Sequence, residues 1–147
     1  MNLQSILTAT ALTACLMGQS ALGYTLAPPK TTSTLTGTLL FAAGGESYSC
    51  NVRFILKTHE RKPAAISAAY VKGKSSCQFA MFNPSPPWQV IPVNATGGGI
   101  EGGGWFDGAK ACGANTGFQI NSNGLWTMTP GCISGTMTAT PPVTIVP

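Results

Sequence analysis

Apolar and polar residues alternate with a period of two along much of this chain. Between Tyr48 and Thr58, Cys50, Val52, Phe54 and Leu56 fall on one side and Asn51, Arg53 and Lys57 on the other, with Ile55 the one misfit. That rhythm is the mark of a half-buried strand. Leu35 to Phe41, Ala65 to Val71, Cys77 to Phe82, Trp88 to Val93, Phe118 to Ile120, Leu125 to Met128, Ile133 to Ala139 and Val143 to Val146 predict further strands, separated by Gly, Pro and Asn. In the Cys77–Phe82 stretch, Cys77, Phe79 and Met81 share one face. Pro92 marks an edge or a strand end. Asn123-Gly124, between two short strands, is a tight-turn signal. No helical apolar period occurs after Met17.

Short, regularly spaced strands without long crossover helices imply antiparallel pairing, in a sandwich or a barrel. The expectation is an all-β fold, a small antiparallel β-sandwich of Ig-like or Greek-key type. Three segments read as loops. Thr58 to Pro63 concentrates charge and is most simply a solvated hairpin tip; its functional reading is a basic patch for anionic lipid or polysaccharide. Asn83 to Trp88 is stiffened by proline. Gly97 to Gly104, GGGIEGGG, reads as a flexible loop or a bulged strand.

The beginning of the chain changes the compartment. Met1 to Gly23 has an uncharged apolar run, Ile6 to Met17, followed by Ala21-Leu22-Gly23, a small-x-small site for cleavage before Tyr24. This is the pattern of a secretory signal peptide, too short to span a bilayer. Residues 1–23 are therefore expected to be a leader, and residues 24–147 a single secreted β-domain. Leu12-Thr13-Ala14-Cys15 also resembles a lipobox, which would make Cys15 a lipidated N-terminus instead.

Export leaves Cys50, Cys77, Cys112 and Cys132, an even set that argues for two disulfides. Four cysteines allow three connectivities. Cys50–Cys77 and Cys112–Cys132 are favoured because nearest pairs close loops that form early. A zinc site fits poorly, since no CxxC is present and the compartment oxidises thiols. No metal and no cofactor is expected. The net charge is +4, but charged residues are only 8% of the chain, so the surface must be covered by Thr, Ser, Asn, Gln and Gly. Such a surface tolerates low-charge and apolar partners, hydrocarbon or surfactant among them, and lacks the basic density of a nucleic-acid binder.

Motifs with a chemical reading are few. Gly97, Gly99 and Gly102 satisfy G-x-G-x-x-G, but no helix follows to aim amides at a pyrophosphate. His59 is the only histidine, lies in a charged tip, and has no G-x-S-x-G to serve. Glu101 and Asp107 could form a glycosidase pair, yet Glu101 sits among glycines and Asp107-Gly108 reads as a turn. Asn94-Ala95-Thr96 is a glycosylation acceptor, which places a surface loop. Among the tryptophans, Trp126 reads as core. Trp88 and Trp105 stand beside loops and are the candidates for exposed apolar contact.

Pro87-Trp88-Gln89-Val90, Ala111-Cys112-Gly113, Asn123-Gly124 and Pro130-Gly131-Cys132-Ile133-Ser134-Gly135-Thr136-Met137 together resemble a family of small secreted bacterial proteins. These are the protein activators of alkane oxidation, PraA/PraB-like. Leu35-Thr36-Gly37-Thr38, Cys50-Asn51-Val52 and the closing Pro142-Val143-Thr144-Ile145-Val146-Pro147 are similar to the same pattern. The Lys57–Pro63 segment and the glycine run depart from it. The resemblance implies an extracellular, non-catalytic factor that promotes growth on long-chain alkanes, with no catalytic residues to carry over. An alkane has no polar handle, so such a factor acts by apolar contact, dispersal or adhesion. Two other classes stay open: a self-associating structural or adhesive cell-surface or biofilm protein, and a secreted hydrolase built on His59, Glu101 and Asp107.

Overall fold

The computed structural model describes residues 23–147 except 109, 114 and 130. The proposed leader and the lipobox around Cys15 lie outside the described residues, Gly23 apart. Among the described residues, thirteen strands and one helical turn follow in the order β1 (Thr25–Ala27), β2 (Thr32–Ala43), β3 (Glu46–Lys57), β4 (Ala64–Lys72), α1 (Ser75–Gln78), β5 (Met81–Phe82), β6 (Trp88–Pro92), β7 (Gly97–Ile100), β8 (Trp105–Phe106), β9 (Ala111–Cys112), β10 (Thr116–Ile120), β11 (Leu125–Met128), β12 (Ile133–Thr140) and β13 (Thr144–Val146).

The fold is all-β with two disulfides, as the alternation predicts, but the sandwich is overturned. Eight antiparallel strands close into a barrel, in the order β10-β11-β12-β2-β3-β4-β6-β7, and β7 pairs back onto β10. The strand that seals the ring is the glycine run: Gly97 to Ile100 pairs with Gln119 to Thr116 on one side, and Gly98 to Ile100 with Pro92 to Val90 on the other. This stretch is therefore barrel wall and not a flexible loop. Glycine is required there by close approach. A Cβ on Gly98 would lie 2.0 Å from the Ile91 carbonyl oxygen, and one on Gly102 would lie 2.3 Å from the Trp88 indole.

Alternation decides what fills the barrel. Leu35, Leu39 and Phe41 of β2, Cys50, Val52, Phe54 and Leu56 of β3, and Trp126 and Met128 of β11 are all buried. Ile55, the misfit, lies on the outer side, half-buried, where the β3–β4 register shifts. An eight-stranded barrel encloses a space that either side chains or one small ligand can occupy. Here Trp88, Trp126, Phe54 and Phe118 take it up, with the Phe118 and Trp126 rings stacked 4.8 Å apart.

The three buried indoles are not equivalent. Trp88 Nε1 donates to Pro84 O at 2.8 Å and Trp105 Nε1 to Cys132 O at 3.0 Å, whereas Trp126 Nε1 has no partner among the described residues. A buried donor left unpaired costs about 1–3 kcal/mol. Trp126→Phe is thus expected to destabilise by about 1–3 kcal/mol less than Trp88→Phe or Trp105→Phe, the volume removed being the same. Urea unfolding midpoints of the three variants check this, and equal losses would remove the distinction.

Two small sheets cover the ends. At one end β1 pairs with β13, near the β3–β4 loop. Thr58, only 2% exposed, fastens this end by donating to Pro28 O at 2.6 Å and accepting from Thr31 N at 2.9 Å. Thr58 therefore belongs to the packed structure and not to the solvated tip. At the other end lie the β2–β3 turn and the three-stranded sheet β5-β8-β9.

Candidate functional site

The end covered by β5, β8 and β9 is held by both disulfides. Cys50 of β3 is bonded to Cys77 of α1, and Cys112 of β9 to Cys132, just before β12. The sequence separations are 27 and 20 residues. Each bridge thus ties a piece of the cover to a barrel strand or its flank.

Residues 73–82 show how local geometry sets what faces water. Gly73 leaves β4 with φ 146, and a Cβ there would press on the Cys77 sulfur at 3.0 Å. Lys74 then starts a single helical turn, its carbonyl accepting from Cys77 N at 2.9 Å and Gln78 N at 3.3 Å. Cys77 turns inward to its bridge and is buried. A helix advances about 100° per residue, so a side chain two positions on points nearly the opposite way. Phe79 is accordingly 68% exposed, and Met81, at the start of β5, is 60% exposed. The chain then twists so that Phe82 enters the aromatic cluster, its ring 4.9 Å from Trp88, 5.9 Å from Phe54 and 6.0 Å from Phe41. The expectation of one continuous strand from Cys77 to Phe82, with Cys77, Phe79 and Met81 on a common face, is therefore corrected.

Phe79 and Met81 thus form an apolar display on a short segment pinned by the Cys50–Cys77 bridge. Lys72 and Lys74 nearby are exposed. Single exposed apolar residues are ordinary, so the candidate rests on two large ones two positions apart on a braced segment. The alternation pattern hides them; Gly73 and the Lys74-Ser75-Ser76 stretch, poor strand material, are the signal that the period breaks.

Trp88 and Trp105, the candidates for apolar contact, are each 1% exposed. They belong to the ring cluster inside the cover, with Trp105 5.6 Å from Phe41 and 5.5 Å from Tyr48. Their indoles pack the core, so the expectation of exposure fails. Tyr48 also donates to Asp107 Oδ2 at 3.3 Å. Burial, then the Asp107 charge and this hydrogen bond, raise the Tyr48 pKa above that of an ordinary tyrosine. Asp107 Oδ1 accepts from Lys110 N at 2.8 Å, and Asp107 N donates to Lys110 O at 3.0 Å, in keeping with the turn expected at Asp107-Gly108.

His59 and Glu101 line one open groove on the barrel exterior, together with Ala65 and Gln89. Asp107 is bonded to Tyr48 at the disulfide-held end. Asn94 sits exposed in the β6–β7 turn, where its Oδ1 accepts from Thr96 N at 2.9 Å and Gly97 N at 2.8 Å. Among the described residues there is no group of three His, Cys, Asp or Glu side chains placed to hold a metal ion. None of their helices is long and apolar enough to cross a membrane.

These features define a class: a small, disulfide-braced antiparallel barrel with a filled interior and its apolar display on the outside. Over residues 1–147 the chain matches the family described as alkane oxidation protein activator PraA/PraB-like, and it belongs to that family. No curated protein and no solved structure matches it.

Proposed function

We propose that this protein promotes alkane oxidation as a secreted, non-catalytic factor that touches hydrocarbon through Phe79 and Met81. The exposure of these two side chains on a disulfide-pinned segment carries the reading. The filled barrel supports it from the other side: with Trp88, Trp126, Phe54 and Phe118 inside, an alkane must be met at the surface. The disulfides are compatible with an extracellular location. The leader at residues 1–23, cleaved before Tyr24, is part of the same proposal.

Magnitudes define the kind of contact. Burying a Phe or Met side chain in oil gains about 1.5–3 kcal/mol each, so two give about 3–6 kcal/mol per molecule. That corresponds to reversible adsorption in the millimolar to tens-of-micromolar range, useful for dispersing droplets and letting go of them. The purified protein is expected to partition onto hexadecane droplets and slow their coalescence. Phe79→Ser/Met81→Ser should weaken droplet partition by about tenfold or more while keeping the circular dichroism of the parent. A parent inert towards droplets, or a variant that adsorbs equally, would defeat the proposal.

Self-association is the second reading, and the same apolar residues favour it. The eight barrel strands have both neighbours, but β4 meets β6 only over Ala64–Ile66, so among the described residues strand addition is open to the Ser67–Lys72 edge of β4 and to the two- and three-residue strands of the small sheets. A second copy would meet that edge or the Phe79 and Met81 face. Sedimentation velocity at rising concentration separates the readings: a strict monomer that adsorbs to oil leaves the first alone standing.

A further inference from the structure

We propose that the end of the barrel carrying the β1–β13 pair holds a binding site for an alkyl carboxylate, the anionic amphiphile to which terminal oxidation of an alkane leads. A cavity of about 110 Å³ lies there between β1, the β3–β4 loop and β6. Leu26, Ile91, Pro92 and Pro63 are among its walls, and Arg61 and Lys62 line it from the loop. The open groove over β4 and β6 adjoins it and shares His59, Arg61, Lys62 and Pro63. The two cations therefore stand on the border between an apolar recess and an open channel.

Charge pairing selects the ligand. Glu60, which also lines the cavity, pairs with Lys30 at 3.5 Å, whereas neither Arg61 nor Lys62 is in an ion pair among the described residues. Glu101 is the carboxylate lining the neighbouring groove. An uncharged alkane gains nothing from unpaired cations. A carboxylate gains charge-assisted hydrogen bonds from a guanidinium and an ammonium, and its first methylenes gain the apolar walls. The recess has room for the head and the leading carbons of a chain, with the remainder following the groove. This site is separate from Phe79 and Met81, at the opposite end of the barrel. A molecule could thus touch hydrocarbon at one end and take up its oxidation product at the other.

The test is isothermal titration of the full secreted protein with decanoate below its critical micelle concentration, beside 1-decanol and decyltrimethylammonium. Saturable one-to-one binding of decanoate is expected, with decanol at least about tenfold weaker and the cationic surfactant weaker still. Arg61→Gln/Lys62→Gln should weaken decanoate by about tenfold or more, and Phe79→Ser/Met81→Ser should leave it unchanged. Equal affinity for decanol, an unaffected Arg61→Gln/Lys62→Gln variant, or loss of binding in the Phe79→Ser/Met81→Ser variant would each overturn the assignment. An anionic-headgroup source is tested by phosphatidylglycerol vesicles: binding to vesicles without binding of free decanoate would also overturn it. Droplet adsorption and decanoate binding are read with different variants, so either proposal can fail alone.

Discussion

Replacing Cys50, Cys77, Cys112 and Cys132 together by serine is expected to leave the chain largely unfolded at 25 °C. The bridges close loops of 27 and 20 residues. In the chain-entropy account, loops of that length contribute about 3–4 kcal/mol each by restricting the unfolded ensemble, so about 7 kcal/mol together. Domains of this kind hold about 5–15 kcal/mol in total, which places the loss at the scale of the whole stability. Loss of packing adds to it, because Cys50, Cys77 and Cys132 are buried and serine would bring hydroxyls into those places. Paired variants separate the contributions. Cys50→Ser/Cys77→Ser frees α1 and, with it, the segment bearing Phe79 and Met81. Cys112→Ser/Cys132→Ser releases β9 from the flank of β12. Each pair should fold with a urea midpoint lowered by the equivalent of about 3–4 kcal/mol. A quadruple variant with the parent's circular dichroism and a midpoint within about 1 M urea of it would show that the barrel needs no bridges.

Gly102→Ala should be a strongly damaging methyl addition to the glycine run. The new Cβ would sit 2.3 Å from the Cδ1 and Cγ atoms of Trp88, an indole 1% exposed and tied through Nε1 to Pro84 O. The ring meets Phe54 at 5.8 Å and Phe82 at 4.9 Å, so it has packed neighbours where it would need to retreat. Overpacking of a well-filled core costs about 1–3 kcal/mol and sometimes more, and this position belongs at the upper end. Gly99→Ala provides the control in the same run. Nothing lies within 4 Å of the methyl it would add and its backbone is not in the left-handed region, so it should be neutral or slightly stabilising. Unfolding midpoints decide the matter: if the two alanines behave alike, the contact with Trp88 is not what the glycine serves.

The glycine run also shows where the sequence stops being legible. β3 can be read because Cys50, Val52, Phe54 and Leu56 carry their own period, and the β10–β11 hairpin because Asn123-Gly124 carries a turn, with Gly124 at φ 79. β7 has only Ile100 as a side chain beyond hydrogen, so it cannot display an alternation. Yet β7 is the strand whose pairing with β10 turns an open sheet into a ring. Sandwich and barrel share every other strand signal, and the silent strand is the one that distinguishes them. The tryptophans mislead for a different reason. Loop neighbours suggest exposure, but Gly102 beside Trp88, and Cys132 O as acceptor for Trp105, build niches that only long-range packing reveals. Phe79 and Met81 share the inward phase of Cys77 on paper, because a single helical turn shifts that phase without leaving a helical period long enough to read.

β1 and β13 lie side by side, so the described chain starts and finishes at one pole while Phe79 and Met81 occupy the other. A tether joined beside β1 or β13, such as a bead-linked affinity tag, would hold the molecule with Phe79 and Met81 outward. Immobilised copies should therefore wet with hydrocarbon as readily as free ones adsorb to it.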